Sequence, residues 1–288
     1  MKIFVLIPVF NRLPHTKKVL ECLRAQTLVS ELRIIIINDG SSDGTGQFLD
    51  SQPSVIQLLG DGSLWWAGAI QRGLKYAIEK ADSRDYILFL NNDTWFSEDY
   101  VERLVETSKR TGGAVGSVVH EENRDYPLVS IGPRIDINRM KVWDVLADLS
   151  ASEARNPNES YCVDALSGRG TLYPVDCFKR FGGMRPFFLP HYLADYEVAM
   201  RFARAKVSLT VSTRAIVFSP AVYGNDVRNM GVWARHFSTG SSNNVIRHLF
   251  FYMMVGSPAQ RLTAPLRMAS IAIVRIIRAF FGRRIHNL

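Results

Sequence analysis

Beyond Asp226 the chain has no acidic residue at all, although nine arginines follow: Arg228, Arg235, Arg247, Arg261, Arg267, Arg275, Arg278, Arg283 and Arg284. Those nine exceed the net charge of +8 carried by the whole chain, so the residues before them are close to neutral. A cationic end set apart in this way points to an anionic surface as partner rather than to a generally basic protein. Cysteine is also scarce. Cys22, Cys162 and Cys177 are an odd number without paired spacing, which indicates neither a disulfide framework nor a zinc site and fits a reducing, cytoplasmic setting. No charge-free run approaches the roughly 20 residues that cross a bilayer. The opening apolar run is broken by Pro8, Asn11 and Arg12 too early for a secretory leader, and is expected to form a first strand. Internal repeats and low-complexity segments are missing. What remains, 288 residues of which 47% are hydrophobic, is ample for a sizeable α/β core.

The apolar runs are short, and polar clusters follow them. Lys2 to Val9 reads as a strand, and Pro14 opens a helix with Val19, Leu20 and Leu23 at helical spacing. Leu32 to Ile37 is a second strand and runs into Asn38-Asp39-Gly40-Ser41-Ser42-Asp43-Gly44-Thr45, rich in turn formers and in groups that bond polar ligands. Val55 to Leu59 leads to Asp61, Trp65 and Trp66, then to a helix over 67–81. Ile87 to Leu90 reads as a strand buried on both faces that ends in Asn91-Asn92-Asp93. Alternating strands and helices imply a mostly parallel central sheet flanked by helices, and ligands bind beyond the carboxyl ends of such strands. Three of those ends carry Asp39, Asp61 or Asp93. Each has a plainer reading as a turn or cap residue. Adjacent tryptophans in an extended segment face opposite ways, so one would stack on a sugar or base, although burial of both in the core is the ordinary outcome.

With these residues laid out, the chain resembles the family 2 glycosyltransferases of GT-A fold over about residues 1–220. The likeness rests on ordered motifs: Ile7-Pro8-Val9-Phe10-Asn11-Arg12, the cluster from Asn38 to Thr45, Asn91-Asn92-Asp93, Ser167-Gly168-Arg169-Gly170 with Phe181-Gly182-Gly183, and Tyr192-Leu193-Ala194-Asp195. The segment from Gly60 to Gly68 is similar to one in members that build bacterial surface polysaccharides, some of them rhamnosyltransferases. The resemblance implies that Pro8, Phe10, Arg12, Asp39 and Asp61 border the nucleotide. It also implies that Asp93 and Asn91 meet the diphosphate or a Mn or Mg ion, that Trp65, Trp66, Gly168 and Arg169 line the sugar or acceptor pocket, and that Asp195 is the catalytic base. Asn91 stands where the family often has its first acid, Ala194 replaces its Glu, and Ser219 replaces a His that would be a metal ligand. His191, His236 and His248 are the histidines that would have to take its place.

The expected function is therefore inverting transfer of a sugar from a nucleoside diphosphate to a hydroxyl of a glycan or lipid-linked acceptor. The alternative, motivated by Ala194 and Ser219, is a catalytically silent nucleotide-sugar binder that scaffolds a membrane assembly complex. A nucleotidyltransferase is disfavoured, because no glycine-rich, lysine-bearing phosphate loop follows the first strand. Residues 1–225 are assigned to the transferase domain and 226–288 to a basic helical tail. In that tail Leu266, Ala269, Ile273, Ile276 and Phe280 form an apolar stripe opposite Arg267, Arg275 and Arg278. Such a helix suits the inner face of the cell membrane, or a second subunit, and not nucleic acid, because its arginines alternate with aliphatic rather than stacking residues.

Overall fold

The structure, a computed structural model, describes residues 1–121, 128–150, 152–153, 157–220 and 230–270. Its first half alternates strand and helix: β1 (Ile3–Val9), α1 (Leu13–Arg24), β2 (Leu32–Asn38), α2 (Thr45–Asp50), β3 (Val55–Leu59), α3 (Trp65–Lys80), β4 (Tyr86–Phe89) and α4 (Tyr100–Thr111). The four strands pair in parallel in the order β3-β2-β1-β4, so their carboxyl ends share one edge. Then follow β5 (Ala114–Glu121), β6 (Leu128–Ser130), the hairpin of β7 (Pro133–Asp136) and β8 (Lys141–Asp144), β9 (Ser160–Cys162), β10 (Thr171–Pro174), α5 (Val175–Phe181), α6 (Ala194–Arg204) and β11 (Leu209–Ser219). Strand β10 joins the halves, running antiparallel between β4 and β5, while β11 lies parallel to β5.

Strands β1, β2 and β4 are almost wholly apolar because both sheet faces are covered there. Along β1, Phe4 and Leu6 enter one buried cluster with Ile70, Leu74 and Ala77 of α3, whereas Ile3, Val5 and Ile7 enter another with Leu20 of α1 and Leu104 of α4. The period of two in a strand produces this division. On the first face, buried Glu197 of α6 is paired with Arg201 at 3.0 Å and Arg185 at 3.4 Å. Arg201 also donates to the carbonyls of Gly182 and Gly183, so the Phe181-Gly182-Gly183 turn is tied to α6. A buried carboxylate tolerates this position only with such partners.

Past residue 230 come α7 (Val232–Phe237), α8 (Val245–Val255) and a helical stretch over 258–270. Phe251, Tyr252 and Val255 of α8, and Ala264 after it, are buried in the same cluster as α3 and α6, so the core extends into the region expected to be a tail. Leu266 is 74% exposed on the stretch over 258–270. Ile273, Ile276 and Phe280 of the expected stripe, and Arg275 and Arg278 expected opposite it, lie outside the described residues. Among the described residues no helix is long and apolar enough to cross a membrane.

Candidate active site

A cleft of about 800 Å³ opens where β1, β2 and β4 end, and the turn at 167–170 and the start of α6 form its other wall. Pro8, Phe10, Arg12, Asp39, Trp65, Trp66, Asn91, Asp93, Gly168, Arg169 and Asp195 all line it. Three acids that are far apart in the chain therefore share one hollow. Asp61 does not. It is exposed, and its Oδ1 accepts from the amide (3.0 Å) and hydroxyl (2.6 Å) of Ser63, bonds that hold its pKa below the ordinary value, the hydroxyl most of all. The neighbouring Gly62 lines the cleft instead.

Asp39 is buried, and its carboxylate accepts three backbone amides, Gly62 at 2.9 Å, Leu64 at 3.0 Å and Trp65 at 3.2 Å. Thus it is neither a local Asx-turn nor a free acid. It holds the 60–65 loop and places negative charge at the start of α3, where the helix dipole favours it. Gly60 is required beside it, since a Cβ there would overlap the Asp39 carboxylate. The helix begins at Trp65, two residues earlier than the periodicity gave, and does so through a left-handed Trp65 (φ 54°). On that helical start Trp65 is 42% exposed and Trp66 half-buried, so joint burial of the pair is corrected.

Asn11 and Arg12 are also left-handed, at φ 59° and 63°. Bonds from the second loop hold them: the Asn11 amide donates to Ser41 Oγ (2.8 Å), Ser42 donates to Asn11 Oδ1 (2.9 Å), and the Leu13 amide donates to Asp43 (2.8 Å). Much of the polar cluster from Asn38 to Thr45 is thus spent on the neighbouring loop. The ties aim Arg12 at Asp93, with Nη1 donating to Oδ2 at 3.1 Å, while Asp93 Oδ1 is buried without a partner. Asn91 accepts from Trp66 Nε1 at 2.9 Å. Because the indole can only donate, the amide oxygen must face it, and the amide NH2 is left for the cleft.

Asp195 lies in the first turn of α6, after a left-handed Leu193 (φ 67°). Its Oδ2 accepts from the Gly168 amide at 2.8 Å and its Oδ1 from the Tyr196 amide at 2.9 Å. Burial raises its pKa above the ordinary 3.8, against the opposing pull of those amides and of Arg169. Gly168 admits no side chain, since a Cβ would overlap the Trp66 ring. Trp66 therefore touches both walls. Tyr196 and Ser242 also line the cleft, although the sequence did not single them out, and so do His191, named only as a substitute metal ligand, and Tyr192, the first residue of the last motif. The His191 ring lies 5.8 Å from that of Trp65, its Nδ1 is buried without a partner, and burial lowers its pKa. Its place four residues before Asp195 was the available signal.

Among the described residues no group of three or more His, Cys, Asp or Glu side chains could hold a metal ion. His236 and His248 are not in the cleft lining, and Ser219 Oγ is buried without a partner. The unpartnered Asp93 Oδ1 is one oxygen ligand, and Mg-like ions bound through one or two carboxylates take the rest from phosphates and water. The donor set therefore fits an ion that arrives with a diphosphate, not one held by the protein alone.

The family model described as Glycosyl transferase family 2 matches residues 4–151. Succinoglycan biosynthesis protein ExoA of Rhizobium meliloti is 22% identical over 273 residues, which is 93% of this chain and 76% of that protein. Among solved structures, GalNAc-T7 with UDP, GalNAc and Mn2+ aligns at a TM-score of 0.66 and 14% identity, over 88% of this chain and 47% of its own. The mannosyltransferase PcManGT of Pyrobaculum calidifontis, in complex with GDP-Man and Mn2+, aligns at 0.56 and 14% identity, over 100% of this chain and 81% of its own. At such identity these structures establish the shared fold.

Proposed function

The chain belongs to glycosyl transferase family 2, and from that premise we propose that it is an inverting glycosyltransferase. In this reading it moves a sugar from a nucleoside diphosphate to a hydroxyl of a glycan or lipid-linked acceptor during surface polysaccharide synthesis. The observation that carries the proposal is the gathering of Asp39, Asp93 and Asp195 around one cleft. Asp195 takes the proton from the acceptor hydroxyl as that oxygen attacks the anomeric carbon opposite the leaving diphosphate. Its burial makes it a stronger base than an exposed aspartate, and the Gly168 and Tyr196 amides fix its direction. Arg12 and the Asn91 amide supply a cation and a donor to the charge that grows on the diphosphate. Asp39 acts through the 60–65 loop that it holds beside the nucleotide. When a Mn or Mg ion is bound, Asp93 would hold it, and it would neutralise diphosphate charge.

The basic C-terminal segment supports peripheral attachment to the inner membrane face, with a second copy of the chain as the other partner. The test is turnover. Purified protein is incubated with a panel of nucleoside diphosphate sugars, a rhamnosyl donor among them, and with membrane extract, with and without manganese. Release of free nucleotide with labelled glycan is expected for one donor. Binding of a donor with neither transfer nor hydrolysis would make the protein a silent scaffold.

A further inference from the structure

Among the described residues the two most exposed aromatic side chains, Phe187 and Trp233, stand beside the cleft with other rings around them. Phe187 is 84% exposed and Trp233 78%, with Phe237 at 49% and Phe188 at 39%. The rings are linked: Phe187 meets Phe188 at 5.1 Å, Phe188 meets Phe250 of α8 at 5.4 Å, and Trp233 meets Phe237 at 5.3 Å. Hydrogen bonds join the two groups. Arg247 donates to the carbonyls of Phe187 (3.2 Å) and Phe188 (2.9 Å), while Asn244 donates to those of Phe237 (2.8 Å) and Ser238 (3.0 Å). This rim borders the opening, because Phe188 precedes the cleft residue His191 by three positions and the cleft residue Ser242 lies between Phe237 and Asn244.

We infer that this rim is a docking surface for an anionic bilayer, which it holds against the mouth of the cleft. Soluble proteins seldom expose grouped large aromatics without a partner for them. Two features favour lipid over protein. Phe187 and Trp233 stand largely in solvent, as aromatic side chains that meet lipid headgroups must before they dock. In sequence the chain from 230 onward carries Arg235, Arg247, Arg261, Arg267 and four more arginines with no acid, the charge that anionic headgroups attract. The anchoring surface thus includes the catalytic domain itself at Phe187 and Phe188, not the basic end alone. If the transferase reading holds, on which this step rests, the acceptor hydroxyl belongs to a lipid-linked glycan presented at the membrane surface.

The experiment sediments full-length protein, without nucleotide sugar, with phosphatidylcholine vesicles that contain phosphatidylglycerol and with vesicles that do not. Wild type is expected to pellet with the anionic vesicles. F187S and W233S should each weaken the partition several-fold, and the double variant at least about tenfold. Circular dichroism shows whether the double variant is folded, and the single variants decide if it is not. Equal pelleting of variants and wild type, or no pelleting of wild type, overturns the inference. So does loss confined to R283A/R284A, which would make the basic end the anchor, or a concentration-dependent dimer that W233S dissociates, which would make the partner a second copy. Absence of turnover with every donor would remove the transferase reading and leave the vesicle result standing.

Discussion

On the wall of the cleft built from β1, β2 and β4, most polar groups are already partnered within the protein: Asp39 by three amides, Asn91 by Trp66, and one oxygen of Asp93 by Arg12. The wall built from the 167–170 turn and α6 contains instead a carboxyl whose ionised form burial disfavours and a histidine whose Nδ1 meets nothing. The first wall is finished before a ligand comes. In the proposed reading, rigidity of that kind suits a group common to many donors, a nucleoside diphosphate, whereas the second wall holds between the Gly168 and Tyr196 amides the carboxyl that would take the proton. Asp93 Oδ1 is the exception on the first wall, and in the proposed reading it is the atom that would meet an ion arriving with the diphosphate.

Three substitutions would break or sharpen this contrast. The largest effect is expected from D195N, which should lower the transfer rate by about 10²- to 10⁴-fold while leaving donor affinity, measured calorimetrically, unchanged. Weakened donor binding would mean that Asp195 serves the first wall as well. In the wild type the rate should fall with decreasing pH through the Asp195 pKa, and since burial raises that value the acid limb lies above the ordinary 3.8. A raised carboxyl pKa means that the fold prefers the protonated form, so this residue's contribution to stability declines as pH rises through that range.

D39A comes next. It leaves the amides of Gly62, Leu64 and Trp65 without their acceptor and should cost about 2–4 kcal/mol in denaturant unfolding. An unchanged midpoint would show that the 60–65 loop holds itself. The smallest effect is expected for W66F, which frees the Asn91 amide to rotate and should weaken donor affinity about fivefold, the loss of one hydrogen bond. A fall in transfer rate at unchanged donor affinity would instead assign Trp66 to the second wall, through Gly168.

The first wall was the more legible in sequence because its strands are continuous apolar runs that end in acids, and the motifs there lie within a few residues of each strand. What could not be read were bonds between distant segments. Asp39 and Asp61 each follow a strand, but Asp39 reaches amides up to 26 positions away, whereas Asp61 turns to Ser63 two positions on. Neither direction is encoded in the local pattern. For the same reason Trp65 looked extended: its helical start depends on Asp39, which belongs to another strand end. In the C-terminal region Phe251 and Tyr252 fall in the stretch assigned to a basic tail, and only the packing of α8 beside α6 shows them to be core.

Trp66 bonds Asn91 with its ring nitrogen and leaves no room for a side chain at Gly168 with its far edge. A chimaera that took residues 60–68 from a relative, as one would to swap donor preference, would import a new ring without the two positions it must fit. The exchangeable unit is therefore discontinuous, and a graft should carry 91 and 168 along with the loop.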